Sequence, residues 1–272
     1  MELRRASSVD DVREGELLLA GGTELVPLLR NGLVQGQSLV EIKQVVPRSV
    51  ADGRIGAGAP LAELECDPSL PEVLREACRL AASPQLRAMG SLGGNLLQAT
   101  RCWYWRLGWP CRLHGGDECF AHDGEHREHA IFANDYCASA HPSDVAAALL
   151  ALDATVRTTE RELPLAELYR LPDEAERSIT TLRAGEVILE VAYGECDRSV
   201  YLKAMERKRW AFPLVGVAAV RRAGVTRVAL AGVAPTPWLL DDLESATPLP
   251  RNAYKLDIAK ALVKRAVAAL DG

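Results

Sequence analysis

The chain has 272 residues, of which 48% are apolar and 25% are charged, so it can bury a sizeable core in one large domain or two small ones. That size and composition exclude a disordered tail and a peptide-scale scaffold. The 32 basic and 37 acidic residues give a net charge of −5, and the basic residues are scattered along the sequence. This distribution argues against a nucleic-acid partner.

The sequence contains neither an apolar leader at its N-terminus nor a run of roughly 18–20 apolar residues that could span a membrane. We therefore expect a soluble, cytoplasmic protein without a membrane partner. It would reach the periplasm only if exported together with a partner that carries a signal. In a reducing compartment, clustered cysteines are better interpreted as metal ligands than as disulfides.

The first strand, turn and helix are predicted near the N-terminus. Residues 17–20 form a short apolar run that ends at Gly21-Gly22-Thr23, and residues 24–30 have the pattern of a short helix. Two more strands and an amphipathic helix are predicted at 39–43, 54–57 and 71–83.

A second glycine turn follows that helix, with the sequence Gly90-Ser91-Leu92-Gly93-Gly94-Asn95. Residues without a Cβ let the backbone approach a ligand, and successive amide groups can form an anion-binding nest, so two such turns could hold a pyrophosphate. Neither turn matches G-x-G-x-x-G or G-x-x-x-x-G-K-[ST], which are the motifs of Rossmann dinucleotide sites and P-loop nucleotide sites. Ordinary strand-to-helix turns are the alternative interpretation of both.

Four of the seven cysteines and four of the five histidines lie between residues 102 and 137. The cysteine spacing is C-x8-C-x7-C-x17-C, without the close C-x2-C pair that is typical of structural zinc sites. Four dispersed thiolates suit an iron–sulfur cubane at least as well, because each binds a different iron. Zinc bound by thiolates and histidines, and buried thiols without a metal, remain alternatives. The cysteines concerned are Cys102, Cys111, Cys119 and Cys137.

Regular structure is predicted to resume after this stretch. His141-Pro142-Ser143-Asp144 precedes an apolar helix at 145–152, in whose first turn an acidic side chain is favourable. Strands at 187–193, 200–205 and 225–233, an ambiguous apolar segment at 213–220 and a closing amphipathic helix at 258–270 complete the predicted elements.

Several of these blocks, in this order, resemble the FAD-binding (medium) subunit of the molybdenum hydroxylases, the xanthine dehydrogenase family. The blocks are residues 20–25, 82–95, 141–144, 201–203 and 232–237. The cysteine-rich stretch is similar to the branch of the family whose flavin subunit carries an extra [4Fe–4S] cluster. That branch includes aldehyde oxidoreductases of the periplasmic type and 4-hydroxybenzoyl-CoA reductase.

The resemblance implies an α+β fold with a two-part FAD-binding domain of the p-cresol methylhydroxylase and vanillyl-alcohol oxidase type. Its parts would be an N-terminal subdomain at 1–60 and a second subdomain at 61–198, with the iron–sulfur insert at about 100–140. A small C-terminal α/β domain would occupy 199–272. We expect this last domain to be shortened, because few residues separate the Pro-Thr-Pro block from the last helix.

The resemblance also implies a role for individual residues. Asp144 would fix the FAD chain, Ile188 would contact the flavin ring, and Lys203 would lie at the polar edge of the ring. A helix first-turn charge and a solvated strand residue are the alternative interpretations of Asp144 and Lys203. The remaining FAD contacts would come from the two glycine turns, at Ala20, Gly21, Gly22, Thr23, Glu24, Ser91, Gly93, Gly94 and Asn95. The four cysteines named above would bind the [4Fe–4S] cluster.

The function that this resemblance implies is electron transfer within an oxidoreductase complex, with no catalytic residue of substrate chemistry in this chain. Electrons would leave an aldehyde at a molybdopterin cofactor on a large subunit, cross [2Fe–2S] clusters on a small subunit, and pass through FAD to an external acceptor. The extra cluster would be either a relay or a structural crosslink. A self-sufficient flavoprotein oxidase and a zinc-stabilised interaction module without a redox role are the alternative functions.

Overall fold

In a computed structural model, which describes residues 1–36 and 38–272, the strands form three separate sheets. The first sheet is parallel, with the order β1-β3-β2, and consists of β1 (Glu2–Arg5), β2 (Leu17–Leu19) and β3 (Ser38–Glu41). Helix α1 (Leu25–Arg30) follows β2 after the first glycine turn. The strand, turn and helix predicted here are therefore confirmed.

The second sheet is antiparallel and combines distant parts of the chain. Its order is β4-β5-β8-β6-β7, and its strands are β4 (Val50–Ala51), β5 (Arg54–Gly56), β6 (Thr155–Thr158), β7 (Glu162–Pro164) and β8 (Ile188–Ala192). Because Ile55 pairs with Val191, residues before position 60 belong to the same sheet as residues after position 150. The predicted boundary at residue 60 therefore falls between strands of one sheet, and the division of the chain into subdomains stays a prediction.

Seven helices of the described chain lie between β5 and β8, several of them only one turn long. They are α2 (Leu61–Leu64), α3 (Glu72–Leu80), α4 (Pro84–Met89), α5 (Leu92–Leu96), α6 (Trp103–Arg106), α7 (Asp144–Ala151) and α8 (Leu165–Leu168). Every residue of α7 is buried, which suits a helix that is apolar on all sides. It packs against α3 on one side and against a sheet of the C-terminal part of the chain on the other. It therefore forms the centre of the larger core.

The third sheet and the last helix form the C-terminal part of the chain. The sheet is antiparallel with the order β12-β11-β10-β9, and its strands are β9 (Arg198–Met205), β10 (Pro213–Arg222), β11 (Val225–Ala231) and β12 (Trp238–Leu239). Helix α9 (Tyr254–Ala269) packs on β9 and β10. The ambiguous segment at 213–220 is thus a strand, paired on both edges and buried over its first eight residues. No helix in the described ranges is long and apolar enough to cross a membrane.

A buried lysine joins α9 to the end of the cysteine-rich insert. The amine of Lys255 donates to the carbonyl oxygens of Glu128 (3.0 Å), His129 (2.8 Å) and Gly232 (2.6 Å). Asn252 adds bonds from its side-chain amide to the carbonyl oxygens of His129 and Ala130. Burial lowers the pKa of Lys255 to about 7. Since carbonyl groups buried without a donor are costly, these bonds fix the insert against the C-terminal sheet.

We expect Lys255→Met to lower the free energy of unfolding by about 3 kcal/mol, because the carbonyl groups of Glu128 and Gly232 would lose this donor and that of His129 would keep only Asn252. The measurement is chemical denaturation followed by circular dichroism. Lys260→Met on the same helix is the control, since Lys260 is half exposed and pairs only with Glu244. Equal stability of the two variants would contradict the clamping role of Lys255.

Candidate functional site

The two glycine turns touch each other at one end of a cleft of about 410 Å³. A Cβ at position 21 would overlap with the carbonyl group of Met89, so only glycine lets the first turn pack against the residues that lead into the second. The sequence motifs therefore meet in space, as the resemblance implied.

The first turn presents unused hydrogen-bond donors. Within the described ranges, the amide groups of Gly21, Gly22 and Thr23 have no acceptor in the protein. All three residues line the cleft and are partly exposed. Three successive amides without a protein acceptor are suited to an anionic group of a ligand.

The second turn is held from behind by the backbone that follows β5. The amide of Leu92 donates to the carbonyl oxygen of Ala59 (2.9 Å), and the amide of Gly93 donates to that of Ala57 (2.8 Å). A Cβ on Gly93 would lie 3.1 Å from the Cβ of Ala57, so this glycine serves close packing within the protein. By contrast, a Cβ on Gly94 would meet only the hydroxyl of Ser91, at 3.1 Å. Gly94 is therefore the glycine of this turn whose missing side chain leaves room in the cleft.

Nine of the twelve predicted FAD-contact residues line this single cleft. They are Ala20, Gly21, Gly22, Thr23, Glu24, Ser91, Gly93, Gly94 and Ile188. Lys43 and Arg48 also line the cleft, as do the carboxylates of Glu63 and Glu186, and Arg48 pairs with Glu63. The walls thus combine glycine backbone, apolar side chains and charged groups of both signs, a set that suits an extended ligand with polar and apolar parts.

Asp144 and Lys203 lie outside the cleft lining and form a buried ion pair. The amine of Lys203 is 2.8 Å from Oδ2 of Asp144 and donates to the carbonyl oxygen of Leu80 (2.9 Å), while the hydroxyl of Tyr201 donates to Oδ1 of Asp144. Burial raises the pKa of Asp144, and Lys203 opposes that shift. The side chain of Lys203 is fully buried, so the alternative of a solvated strand residue is wrong. Their contacts with a flavin stay predictions.

Asn95 connects the second turn to the start of α7. Its side-chain oxygen accepts from the hydroxyl of Ser143 at 2.6 Å, and that hydroxyl accepts from the amide of Ala146 at 2.9 Å. Ser143 is thus an N-cap residue of α7 that also fixes Asn95. Asn95 lies beside the cleft lining and positions the turn from outside it.

The four predicted cysteines meet around one small cavity of about 10 Å³. Hydrogen bonds reach their sulfur atoms: the amide of Ala138 lies 3.4 Å from Sγ of Cys119, and Nε2 of His129 lies 3.2 Å from Sγ of Cys102. The hydrogen bond from Cys137 lowers the pKa of Cys119 to about 5, whereas burial raises that of Cys102 to about 11. No three His, Cys, Asp or Glu side chains in the described chain converge as they would around a single metal ion.

The other histidines of the insert bond to backbone carbonyl groups. His114 contacts the carbonyl oxygen of Trp105 (2.9 Å), His122 that of Asn134 (2.8 Å), and His126 that of Ala121 (2.8 Å). Trp105 also stacks on the ring of His114. These bonds connect the histidine side chains to the backbone of the insert and so stabilise its fold.

Comparison with known proteins decides the family. Residues 3–193 match the model of the FAD-binding domain in molybdopterin dehydrogenase. The chain belongs to this family. It is 32% identical over 281 aligned residues to the aldehyde oxidoreductase FAD-binding subunit PaoB of Escherichia coli (strain K12), and the alignment covers 90% of this chain and 88% of that protein. The chain is accordingly an FAD-binding subunit of an oxidoreductase.

Solved structures of this family share the fold of the subunit. A chain of carbon monoxide dehydrogenase from Hydrogenophaga pseudoflava has a TM-score of 0.69 at 21% identity, over 99% of this subunit and 96% of that chain. The reconstituted carbon monoxide dehydrogenase from Oligotropha carboxidovorans gives 0.69 at 19% identity with the same coverage. Quinoline 2-oxidoreductase from Pseudomonas putida 86 gives 0.67 at 19% identity, again with 99% and 96% coverage. The expected shortening of the C-terminal domain is not confirmed, because these alignments cover nearly the whole of each chain.

The subunit contains a buried histidine whose titration should be visible in its stability. His141 precedes α7, its ring packs edge-on against Tyr169, and burial lowers the pKa of His141 to about 3. In the unfolded chain a histidine binds a proton below about pH 6.5, whereas the folded chain keeps this ring neutral. The unfolded state therefore gains protons as the pH falls from 6.5, and the folded state loses stability.

We expect wild-type protein to lose about 2 kcal/mol more stability than His141→Leu between pH 7.5 and pH 5, because the variant lacks this titration. Urea denaturation at both pH values provides the comparison. The replacement will also change packing, but that change is the same at both pH values and cancels in the difference. Parallel pH profiles for the two proteins would show that His141 is not held neutral.

Proposed function

We propose that this chain is the FAD- and [4Fe–4S]-containing electron-transfer subunit of a molybdenum-dependent hydroxylase complex. It would receive electrons from a large molybdopterin-binding subunit through a small [2Fe–2S] subunit, and deliver them to an external acceptor. The observation that carries the proposal is the convergence of both glycine turns and Ile188 on one cleft, while the four cysteines surround a second, separate cavity.

The cleft suits FAD in three ways. The free amides of Gly21, Gly22 and Thr23 can bind the pyrophosphate, Lys43 supplies compensating charge, and Ile188 offers an apolar surface for the ring. When bound, FAD supplies the chemistry that exchanges electrons with both one-electron and two-electron partners. The residues of this chain hold and orient it and exclude water from its ring.

The cysteine cavity supports a [4Fe–4S] cluster over zinc. A cubane takes one thiolate on each of four irons, so its ligands stand further apart than those of a single ion, and amide groups donating to sulfur are typical of such sites. Four thiols around one cavity and the amide of Ala138 near Cys119 agree with this pattern. Because the cavity is only about 10 Å³, uptake of a cluster would move its walls outwards.

The proposed substrate of the complex is an aldehyde, in keeping with the name of the relative that is 32% identical. Oxidation of the aldehyde would take place on the large subunit, since this chain supplies FAD-binding and thiol groups. The proposed location is the cytoplasm, with export to the periplasm only alongside a partner that carries a signal.

The test is the cofactor content of the protein purified from its native host with the subunits that accompany it. FAD together with iron and acid-labile sulfide, in a complex with a molybdopterin subunit, is the expected result. Zinc without flavin would support the interaction module instead. Substrate turnover by this chain alone would support the self-sufficient oxidase.

We expect Gly94→Val to prevent FAD binding while the chain remains folded, because the added carbons would occupy the cleft where the backbone must approach the ligand. Gly94→Ala should weaken binding less, since it adds a single methyl group. Flavin absorbance of the purified variants and their thermal midpoints provide the measurements. Normal flavin content in Gly94→Val would remove the second turn from the proposed site.

We expect Cys111→Ser to lose most of its iron and labile sulfide and still to bind FAD when FAD is supplied in excess, because the cysteine cavity and the flavin cleft share none of their lining residues. Cys66→Ser is the matched control, since Cys66 is exposed and lies outside the cavity. Iron and sulfide assays and the visible absorption spectrum distinguish the variants. Full retention of iron and sulfide in Cys111→Ser would overturn the assignment of the four ligands.

A further inference from the structure

Glu24 lines the proposed flavin cleft and also binds the segment that leads into the cysteine-rich insert. It follows the Gly-Gly-Thr turn and lines the cleft, but its carboxylate points towards the start of the cysteine-rich insert. Its oxygens accept from the amide of Ala99 at 3.1 Å, from the guanidinium of Arg101 at 2.7 Å, and from that of Arg106. One side chain of the flavin cleft thus holds three groups of the segment that carries Cys102.

The same contacts define where Cys102 lies. Arg106 donates to the carbonyl oxygens of Thr100 (2.8 Å) and Ala99 (3.2 Å), and the hydroxyl of Thr100 accepts from the amide of Cys102 (3.1 Å). Hydrogen bonds therefore connect the carboxylate of Glu24 to Arg106 and Arg106 to the carbonyl group of Thr100, and the hydroxyl of the same threonine accepts from the backbone of a proposed cluster ligand.

This link depends on the negative charge of the Glu24 carboxylate. The carboxylate is the shared partner of two guanidinium groups, and the three side chains are between 17% and 31% exposed. Burial lowers the pKa of Arg101, and the neighbouring Arg106 adds to that shift, while Glu24 opposes it. Without the carboxylate, two cations would face each other in a partly desolvated place, so the segment at 99–106 would rearrange.

We propose that Glu24 is a positioning residue that couples flavin occupancy of the cleft to cluster occupancy of the insert. A flavin seated on the first turn fixes the backbone of Glu24, and Glu24 in turn fixes the segment that presents Cys102. Such a coupling is reciprocal, so a bound cluster must strengthen flavin binding by the same factor. The inference rests on the proposed function, because it requires both cofactors.

The test is a double-mutant cycle on the affinity for FAD. The dissociation constant is measured by flavin fluorescence for the full chain with Glu24 or Gln at position 24, each with and without Cys111→Ser to remove the cluster. With Glu24 present, loss of the cluster should weaken FAD binding about tenfold. With Glu24→Gln, the dissociation constant should be the same with and without the cluster, whatever its absolute value.

Two further variants separate coupling from general damage. Glu63→Gln changes a carboxylate that also lines the cleft but pairs with Arg48, so the effect of the cluster on FAD binding should persist. Arg106→Gln lies outside the cleft lining and breaks the same link from the insert side, so the effect should vanish. If Glu24→Gln binds no FAD, the effect of the cluster on FAD binding is judged from Arg106→Gln.

The outcomes distinguish this inference from the proposed function. Coupling in the parent chain and in Glu63→Gln, together with its loss in Glu24→Gln and Arg106→Gln, supports the inference. Equal FAD affinity with and without the cluster in the parent chain overturns the inference, as does unchanged coupling in Glu24→Gln. Neither result contradicts the proposed binding of both cofactors. A parent chain without FAD, or without iron and sulfide, overturns the proposed function and the inference with it.

Discussion

Close backbone contact between the two glycine turns is the constraint on which the rest of the structure depends. Gly21 lies against the carbonyl group of Met89, where any side chain would overlap. That contact brings the parallel N-terminal sheet to the helices that follow β5, and the cleft is the space left between them. The amides of Leu92 and Gly93 donate to the carbonyl oxygens of Ala59 and Ala57, which follow β5, and so connect the second turn to the second sheet. A glycine motif usually explained by its ligand is therefore also required by the protein's own packing.

The local sequence pattern was sufficient to predict most helices and strands, but not which strands pair with each other. The apolar helix at 145–152 was predicted because its composition leaves no polar face, and it is indeed buried on all sides. Residues 213–220 were ambiguous because a strand that is buried on both faces is apolar throughout and has no alternation. The pairing of β5 with β8 could not be foreseen, since more than a hundred residues separate them and no local signal encodes the match. The predicted boundary at residue 60 therefore separates two strands that pair in the folded chain.

The candidate site divides in the same way. Gly21, Gly22 and Gly94 could be predicted because a glycine turn has few interpretations, and Ile188 because the family resemblance implied its position. The environment of Lys203 could not be predicted, because its partner Asp144 lies 59 positions away and the burial of both depends on the packing of the third sheet. The convergence of the cysteines followed from family resemblance, because their spacing alone left zinc, a cluster and free thiols open. The link from Glu24 to Arg106 has no sequence signature at all.

The buried amine of Lys255 has a consequence for how the protein is made. It binds carbonyl groups 127 and 126 positions earlier in the chain, at Glu128 and His129. During synthesis the cysteine-rich insert therefore leaves the ribosome long before the helix that clamps its end. Until that helix is complete, no amine at position 255 binds these carbonyl groups, so the end of the insert is fixed only in the last stage of folding. The last helix is therefore needed to complete the packing of a segment that was synthesised more than a hundred residues earlier.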